Sequence, residues 1–400
     1  MAKSKRKIVL FYKNLEAPGG AERLLVNEYF EFKKLGYDVN IVSFQISDDK
    51  LFSNNIDSND KIILGGLNWV KSILNFVTYI KLNKDAIYLC ASGNMEMYIS
   101  SLLIKYTYSL HIHHPSFMSF TEMDKYSIFQ KKHFNKMLQS NFGAIRFKNI
   151  NNNMSLFKRL YINLRAFISI NAIKSSQNNF VLSKYAQNEK KILFDIDSYV
   201  FCGALDDDTF NYIPKKDFTK YDKYKYKILT IARLDENKRL DDLLKAFSIY
   251  IKEEESNSML FIGGSGPELE NLKNITQNLR IENNVKFLGF IPENELFDWY
   301  SMADLFVSID WADYRITMYE SLVMNTKVLL SDETDADEFL LNSKYLYITQ
   351  PDIENTKNML TQVLIEDTNI SFNELKNYLK KFTWNNYCKK LISVLDKANV

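Results

Sequence analysis

ILTIARLDENKRLDDLLKAF (228–247) leads through FIGGSGPELENL (261–272) and VKFLGFIPENEL (285–296) to ADLFVSIDWADYRITMYESLVMNTKVLLSD (303–332). ILTIA (228–232) and MLFI (259–262) are apolar runs of strand length, each followed by a turn and then a helical pattern. Leu240, Leu243, Leu244, Phe247 and Ile251 fall on one face of a helix, with Asp241, Asp242 and Lys245 outside it. Strands alternating with helices of this length predict βαβ units and an α/β fold around a parallel sheet.

In such a sheet the ligand sits beyond the carboxyl ends of the strands. Arg233 and Lys238 follow the first strand of this half, and Gly263, Gly264 and Gly266 follow the second. A fixed pair of cations can neutralise the charge that grows on a departing diphosphate without a metal. Glycines let backbone N–H groups approach ligand oxygens. Taken singly, the cations also suit an ordinary helix start and Gly-Gly-Ser-Gly-Pro an ordinary turn. Their order and spacing together point to a nucleotide diphosphate.

With these motifs the chain resembles the retaining family-4 glycosyltransferases of the GT-B fold. The resemblance rests on Arg233-Leu-x-x-x-Lys238, Gly264-Ser265-Gly266-Pro267, Val285-Lys286-Phe287-Leu288-Gly289, Ala303-Asp304-Leu305-Phe306-Val307, and Glu320 followed by KVLLSD. It reaches the amino-terminal half through Gly19-Gly20-Ala21-Glu22-Arg23 and the carboxyl end through Phe382-Thr383-Trp384. It implies two Rossmann-like doubly wound domains facing across a cleft, with a last helix that returns to the first domain. It also implies that Arg233 and Lys238 hold the diphosphate and that Glu320 accepts hydrogen bonds from the ribose. The family pattern has a second glutamate eight residues earlier, near the donor sugar. Here that position is Ala312, and Asp313 takes the place only if one residue is deleted within 314–319, where Tyr314-Arg315-Ile316 replaces the usual Gly-Phe-Gly.

Four hundred residues exceed what one core organises, so two domains of roughly 200 residues are expected. The expected boundaries are 1–205 for an acceptor-binding domain, 206–225 for a charged linker, 226–371 for the nucleotide-sugar domain, and 372–400 for the returning segment, with Tyr378, Phe382, Tyr387 and Leu391 available for packing. No apolar run reaches the length of about 18 residues that spans a membrane. MAKSKRKIVLFYKN carries too short an apolar run for a signal peptide. Cys90, Cys202 and Cys388 are scattered and odd in number, which suits packing thiols in a reducing cytoplasm.

The first domain opens with the strand IVLFY (8–12), a loop, and a helix preceded by Gly19 and Gly20. Unpaired N–H groups at such a helix start attract phosphate, although a Gly-Gly pair there can also be a plain turn. In the resembling family this loop faces the Arg-Lys pair across the cleft. His111-Ile112-His113-His114-Pro115 follows the strand-like YSLHI (108–112). Zinc would need three or four ligands, and no Cys or carboxylate lies nearby in sequence. Surface histidines before a proline turn are the plainer alternative. His-x-Pro resembles the family pattern in which the His lies beside the donor sugar, which selects His113 as a catalytic-site residue.

Residues 125–188 hold eleven Lys or Arg and no Asp or Glu, in a chain of net charge +2. Phe157, Leu160, Leu164 and Phe167 form an apolar stripe flanked by Lys158, Arg159 and Arg165. That pattern fits a helix lying on an anionic membrane surface. A basic patch also suits nucleic acid, but no nucleic-acid motif accompanies it, and some of the aromatics are expected in the core. The expected protein is therefore a cytoplasmic, peripherally membrane-bound transferase. It would move a hexose from a nucleotide-diphosphate sugar to a lipid-linked or saccharide acceptor, with no metal or other cofactor and no nucleic-acid partner. A non-catalytic relative that binds nucleotide or lipid is the alternative, raised by the altered glutamate spacing.

Overall fold

The computed structural model describes residues 6–15, 20–46, 56–111, 155–312, 314–335 and 337–397. It divides into two compact units, residues 1–203 with 384–400, and residues 204–383.

The first unit is built on a seven-stranded parallel sheet in the order β5-β3-β1-β6-β7-β8-β9. Its strands are β1 (Ile8–Tyr12), β3 (Val39–Ser43), β5 (Lys61–Ile63), β6 (Ile87–Ser92), β7 (Tyr108–His111), β8 (Asn178–Val181) and β9 (Tyr199–Val200). Two short segments, β2 (Asn14–Leu15) and β4 (Gln45–Ile46), pair apart from it. Every residue of β1 is buried, as a central strand covered on both faces requires. The helices are α1 (Gly20–Lys34), α2 (Trp69–Leu82), α3 (Asn94–Leu103), α4 (Leu156–Lys174) and α5 (Lys184–Phe194).

In the second unit β10 (Tyr226–Ile231), β11 (Ser258–Gly263), β12 (Val285–Gly289), β13 (Leu305–Ser308), β14 (Lys327–Ser331) and β15 (Leu346–Thr349) form a parallel sheet. Its order is β12-β11-β10-β13-β14-β15, the doubly wound arrangement, which reverses between β10 and β13. Its helices are α6 (Leu240–Glu253), α7 (Leu269–Leu279), α8 (Glu293–Met302), α9 (Ile316–Val323), α10 (Glu338–Asn342), α11 (Ile353–Ile365) and α12 (Phe372–Leu379). The apolar face read on α6 is the buried one: Leu240, Leu243, Leu244, Phe247 and Ile251 all enter the core. Each such side chain removed from water contributes about 1.5–3 kcal/mol.

Two boundaries differ from the sequence reading. The charged stretch 206–225 is ordered on the second unit, because Phe218 packs 4.8 Å from the Trp299 ring and Tyr212 and the Lys215 amide both donate to Asp298. Residues 372–383 also remain with the second unit. Tyr378 stacks on Phe339 at 3.7 Å and its hydroxyl donates to Asp337, while Phe382 lies 4.4 Å from Tyr319. The returning element is α13 (Trp384–Lys397), whose Trp384, Tyr387, Cys388, Leu391 and Leu395 are buried in the first unit. Gly203 lets it approach, since a Cβ there would lie 2.5 Å from the Trp384 ring.

A buried polar cluster fastens α13. Tyr387 donates to Glu28 of α1 at 2.6 Å and lies 2.8 Å from His111 Nε2, and His111 Nδ1 is 3.2 Å from the same Glu28 oxygen. Burial pushes Glu28 up to about 8, partly opposed by the Tyr387 hydrogen bond. A carboxyl raised in the folded state binds its proton more tightly there than in the unfolded chain. Its contribution is whole below the ordinary value of 4.5 and is lost as pH rises toward about 8. Glu28→Gln, neutral at every pH, should therefore flatten the decline of Tm across that window while leaving the acid-side Tm close to wild type. Parallel declines in the two proteins would show that Glu28 is ionised in the fold.

Candidate functional site

The reversal in the second sheet opens beyond the carboxyl ends of β10 and β13, and the charges there come from both sides of it. Lys238 follows β10; its Nζ reaches Asp310, two residues past β13, at 2.7 Å. Asp310 is nearly fully buried, whereas Lys238 keeps 31% of its side chain exposed, so the pair lies at the edge of solvent. The other Asp310 oxygen meets Arg315 Nη1 at 2.9 Å and the Ser308 hydroxyl at 2.7 Å. Arg315 also donates to Ser308 Oγ and, at 2.5 Å, to the Asp310 carbonyl, which takes a second bond from Ser331. Burial alone would raise Asp310; Arg315 and Lys238 override it and bring the carboxyl down to about 2.

Arg239, in the left-handed region at φ 52°, extends the network. It donates to the Ile309 carbonyl at 3.0 Å and pairs with Glu333 at 2.8 Å. Burial raises Glu333 and Arg239 opposes the rise. Arg233 points outward with 75% of its side chain exposed, 3.7 Å from Asp235. Glu320, in α9, is buried and accepts a 3.1 Å hydrogen bond from Tyr300.

The glycine turn after β11 presses against the loop that carries the cations. A Cβ on Gly264, at φ +123°, would fall 1.8 Å from the Ala232 carbonyl oxygen, and one on Gly266 would fall 2.2 Å from that of Leu234. The Gly264 N–H donates to the Gly289 carbonyl, and the Leu234 N–H to Ser265. In this arrangement Gly264 and Gly266 seat residues 232–234 by close backbone approach.

The first unit has a comparable reversal between β1 and β6. Lys13, just past β1, reaches Glu96 of α3 at 2.8 Å, and Trp69 donates to the same oxygen at 2.9 Å. These residues line a cavity of about 770 Å³ together with Tyr12, Ser92 and His111. Gly20 begins α1 after β1. Helix α4 closes one side of the cavity through Leu164, Ile168 and Ser169. Ala166, Ser169, Ala172 and Ile173 are buried, while Phe157, Leu160, Leu164 and Phe167 are exposed, Phe157 by 83%. Arg165 lies on the cavity side, and Lys158 and Arg159 belong to the first turns of the same helix. Among the described residues no helix is long and apolar enough to cross a membrane. Gly19, His113 and Asp313 lie outside the described residues.

Asp310, Arg315, Arg239 and Glu333 were not singled out from sequence. A carboxylate two residues past a strand in VSID was the available signal for Asp310. Nothing local marks Arg315 or Glu333, because each is defined by a partner distant in the chain.

Residues 214–382 match the family described as glycosyl transferases group 1. Among curated proteins the chain is similar to an alpha-monoglucosyldiacylglycerol synthase of Streptococcus pneumoniae, 26% identical over 41% of this chain and 37% of that protein. It is also similar to a mannosylfructose-phosphate synthase of Agrobacterium fabrum, 30% identical over 26% of this chain and 25% of that one. The chain thus spans less than half the length of the curated relatives it matches. Among solved structures, Anabaena HepE in complex with UDP and glucose superposes with a TM-score of 0.71 at 15% identity, covering 98% of this chain and 100% of that one. The apo lipopolysaccharide outer core galactosyltransferase WaaB superposes with a TM-score of 0.66 at 14% identity, covering 98% and 99%. Two parallel doubly wound units and this match make residues 214–382 a glycosyl transferases group 1 domain in a chain of GT-B fold.

Proposed function

We propose that the protein is a retaining hexosyltransferase that takes its sugar from a nucleotide-diphosphate donor and passes it to a lipid-linked or saccharide acceptor. The observation that carries this reading is Lys238, held by Asp310 at the reversal point of the group 1 domain with its side chain partly exposed. Lys238 and the outward Arg233 would neutralise the leaving diphosphate, and Glu320 would accept from the ribose hydroxyls. Stabilisation by fixed cations calls for no bound metal and no enzyme nucleophile. The cavity of the first unit, with Glu96 and Lys13 as its polar pair, is the proposed acceptor site. If Asp313 takes the place of the first family glutamate and His113 lies by the donor sugar, they would orient that sugar.

The exposed apolar face of α4 and its basic flank support a protein that works at an anionic membrane surface, on its cytoplasmic side, within glycolipid or cell-surface polysaccharide synthesis. The curated relatives named as glucosyldiacylglycerol synthases favour a lipid acceptor, and the Anabaena structure makes UDP-sugars the first donors to test.

Lys238→Ala should lower turnover by about a hundredfold or more at saturating donor, because the lost charge acts mainly in the transition state. Wild-type activity should persist in a chelator, and loss that only Mg2+ restores would overturn the metal-free reading. Nucleotide sugars should raise the Tm of the wild type; a protein that none of UDP-, GDP- or ADP-sugars stabilises is no transferase of this kind.

Membrane attachment is tested separately. Changing Lys158, Arg159 and Arg165 together to Glu should abolish sedimentation with phosphatidylglycerol vesicles at low salt, since each basic residue near the surface is worth about 1 kcal/mol. Wild type should be released as salt shortens the Debye length. Equal sedimentation of the two proteins would remove the membrane from the reading.

A further inference from the structure

Lys238 is required to attract a phosphate, yet it is already bound to a carboxylate. A lone Asp310 at 2.7 Å would cancel the ammonium charge and compete with any anion for it. Asp310 has a second cation on its other oxygen, Arg315 at 2.9 Å. The cluster of Lys238, Asp310 and Arg315 therefore carries a net +1. The neighbouring pair of Arg239 and Glu333 balances itself. Arg315 is buried, and its Nη1 and Nη2 are turned to Asp310 and Ser308, so its charge acts beside Asp310.

We infer that Arg315 and Asp310 are positioning residues for the diphosphate cation: Asp310 fixes the Lys238 ammonium across the reversal point, and Arg315 supplies the charge that keeps this anchorage from neutralising it. Burial of Asp310, with both of its oxygens occupied, keeps the anchor rigid. The ligand this arrangement takes is the diphosphate of a nucleotide sugar, so the inference rests on the transferase reading above.

Charge counting gives a test that a merely structural role would not pass. Arg315→Gln leaves the cluster at zero, Arg315→Gln with Asp310→Asn restores +1, and Asp310→Asn alone gives +2. UDP, GDP and ADP are titrated calorimetrically into wild type at low salt, and the one that binds is carried through the variants. Arg315→Gln should weaken its affinity by about tenfold or more, and the double variant should regain most of that loss. Arg315→Lys should stay close to wild type. Asp310→Asn should bind the nucleotide as well as or better than wild type, while hydrolysing the corresponding nucleotide sugar at least about tenfold more slowly because Lys238 is no longer held.

Wild-type affinity in folded Arg315→Gln, or a double variant no better than the single one, overturns the inference while leaving the transferase reading in place. Should Arg315→Gln fail to fold, Asp310→Asn decides: weakened nucleotide binding in a folded protein sinks the proposal. Failure of wild type to bind any of the three nucleotides removes the transferase reading and this inference with it.

Discussion

The sheet of the second unit reverses its winding between β10 and β13, and the loops on either side of that reversal bring together charges that repel and attract. Asp310 resolves the conflict by lying between Lys238 and Arg315. Lys238 is partly exposed, so its ion pair contributes about 1 kcal/mol or less to stability after solvent screening. Its larger effect is geometric. A lysine has four rotatable bonds, and the pair with Asp310 holds its charge in one place, as the transferase proposal requires. The surrounding framework serves the same end: the glycine turn after β11 clamps residues 232–234, and Arg239 ties the loop after Lys238 to the end of β13.

The first unit repeats the theme with different chemistry. Lys13 and Glu96 span its own reversal, at the mouth of a cavity bounded by α4. Helix α4 buries Ala166, Ser169, Ala172 and Ile173 and leaves Phe157, Leu160, Leu164 and Phe167 exposed, more large apolar surface than a helix usually shows to water. An exposed run of large apolar side chains is the kind of surface that marks an interaction site, and the membrane proposal rests on it. The return helix α13 is held more conventionally, by a continuous apolar stripe and by the buried contact of Tyr387 with Glu28 and His111.

Much of this was legible in the sequence. Alternating strand and helix patterns, the Arg-x4-Lys spacing and the glycine turns are local signals, and local signals define βαβ units and their carboxyl ends. The α/β class, the buried face of α6 and the place of Lys238 after β10 all followed from them, while two domains followed from length and their doubly wound form from the family resemblance. The domain boundaries did not. The charged run 206–225 reads as a linker by composition, but its aromatic residues found Trp299, and Tyr378 found Phe339 within the second unit.

What only the tertiary structure decided is which charges meet. Lys238 and Asp310 are 72 residues apart, and no periodicity connects them; they touch because β10 and β13 are neighbours in the sheet. The same holds for Arg239 with Glu333 and for Glu28 with Tyr387. The sequence likewise determined that α4 has an apolar stripe, since that follows from spacing along one helix. Which side of the helix faces water depends on what its neighbours can accept: it packs on α3, and Ala166, Ser169, Ala172 and Ile173 are the residues buried there.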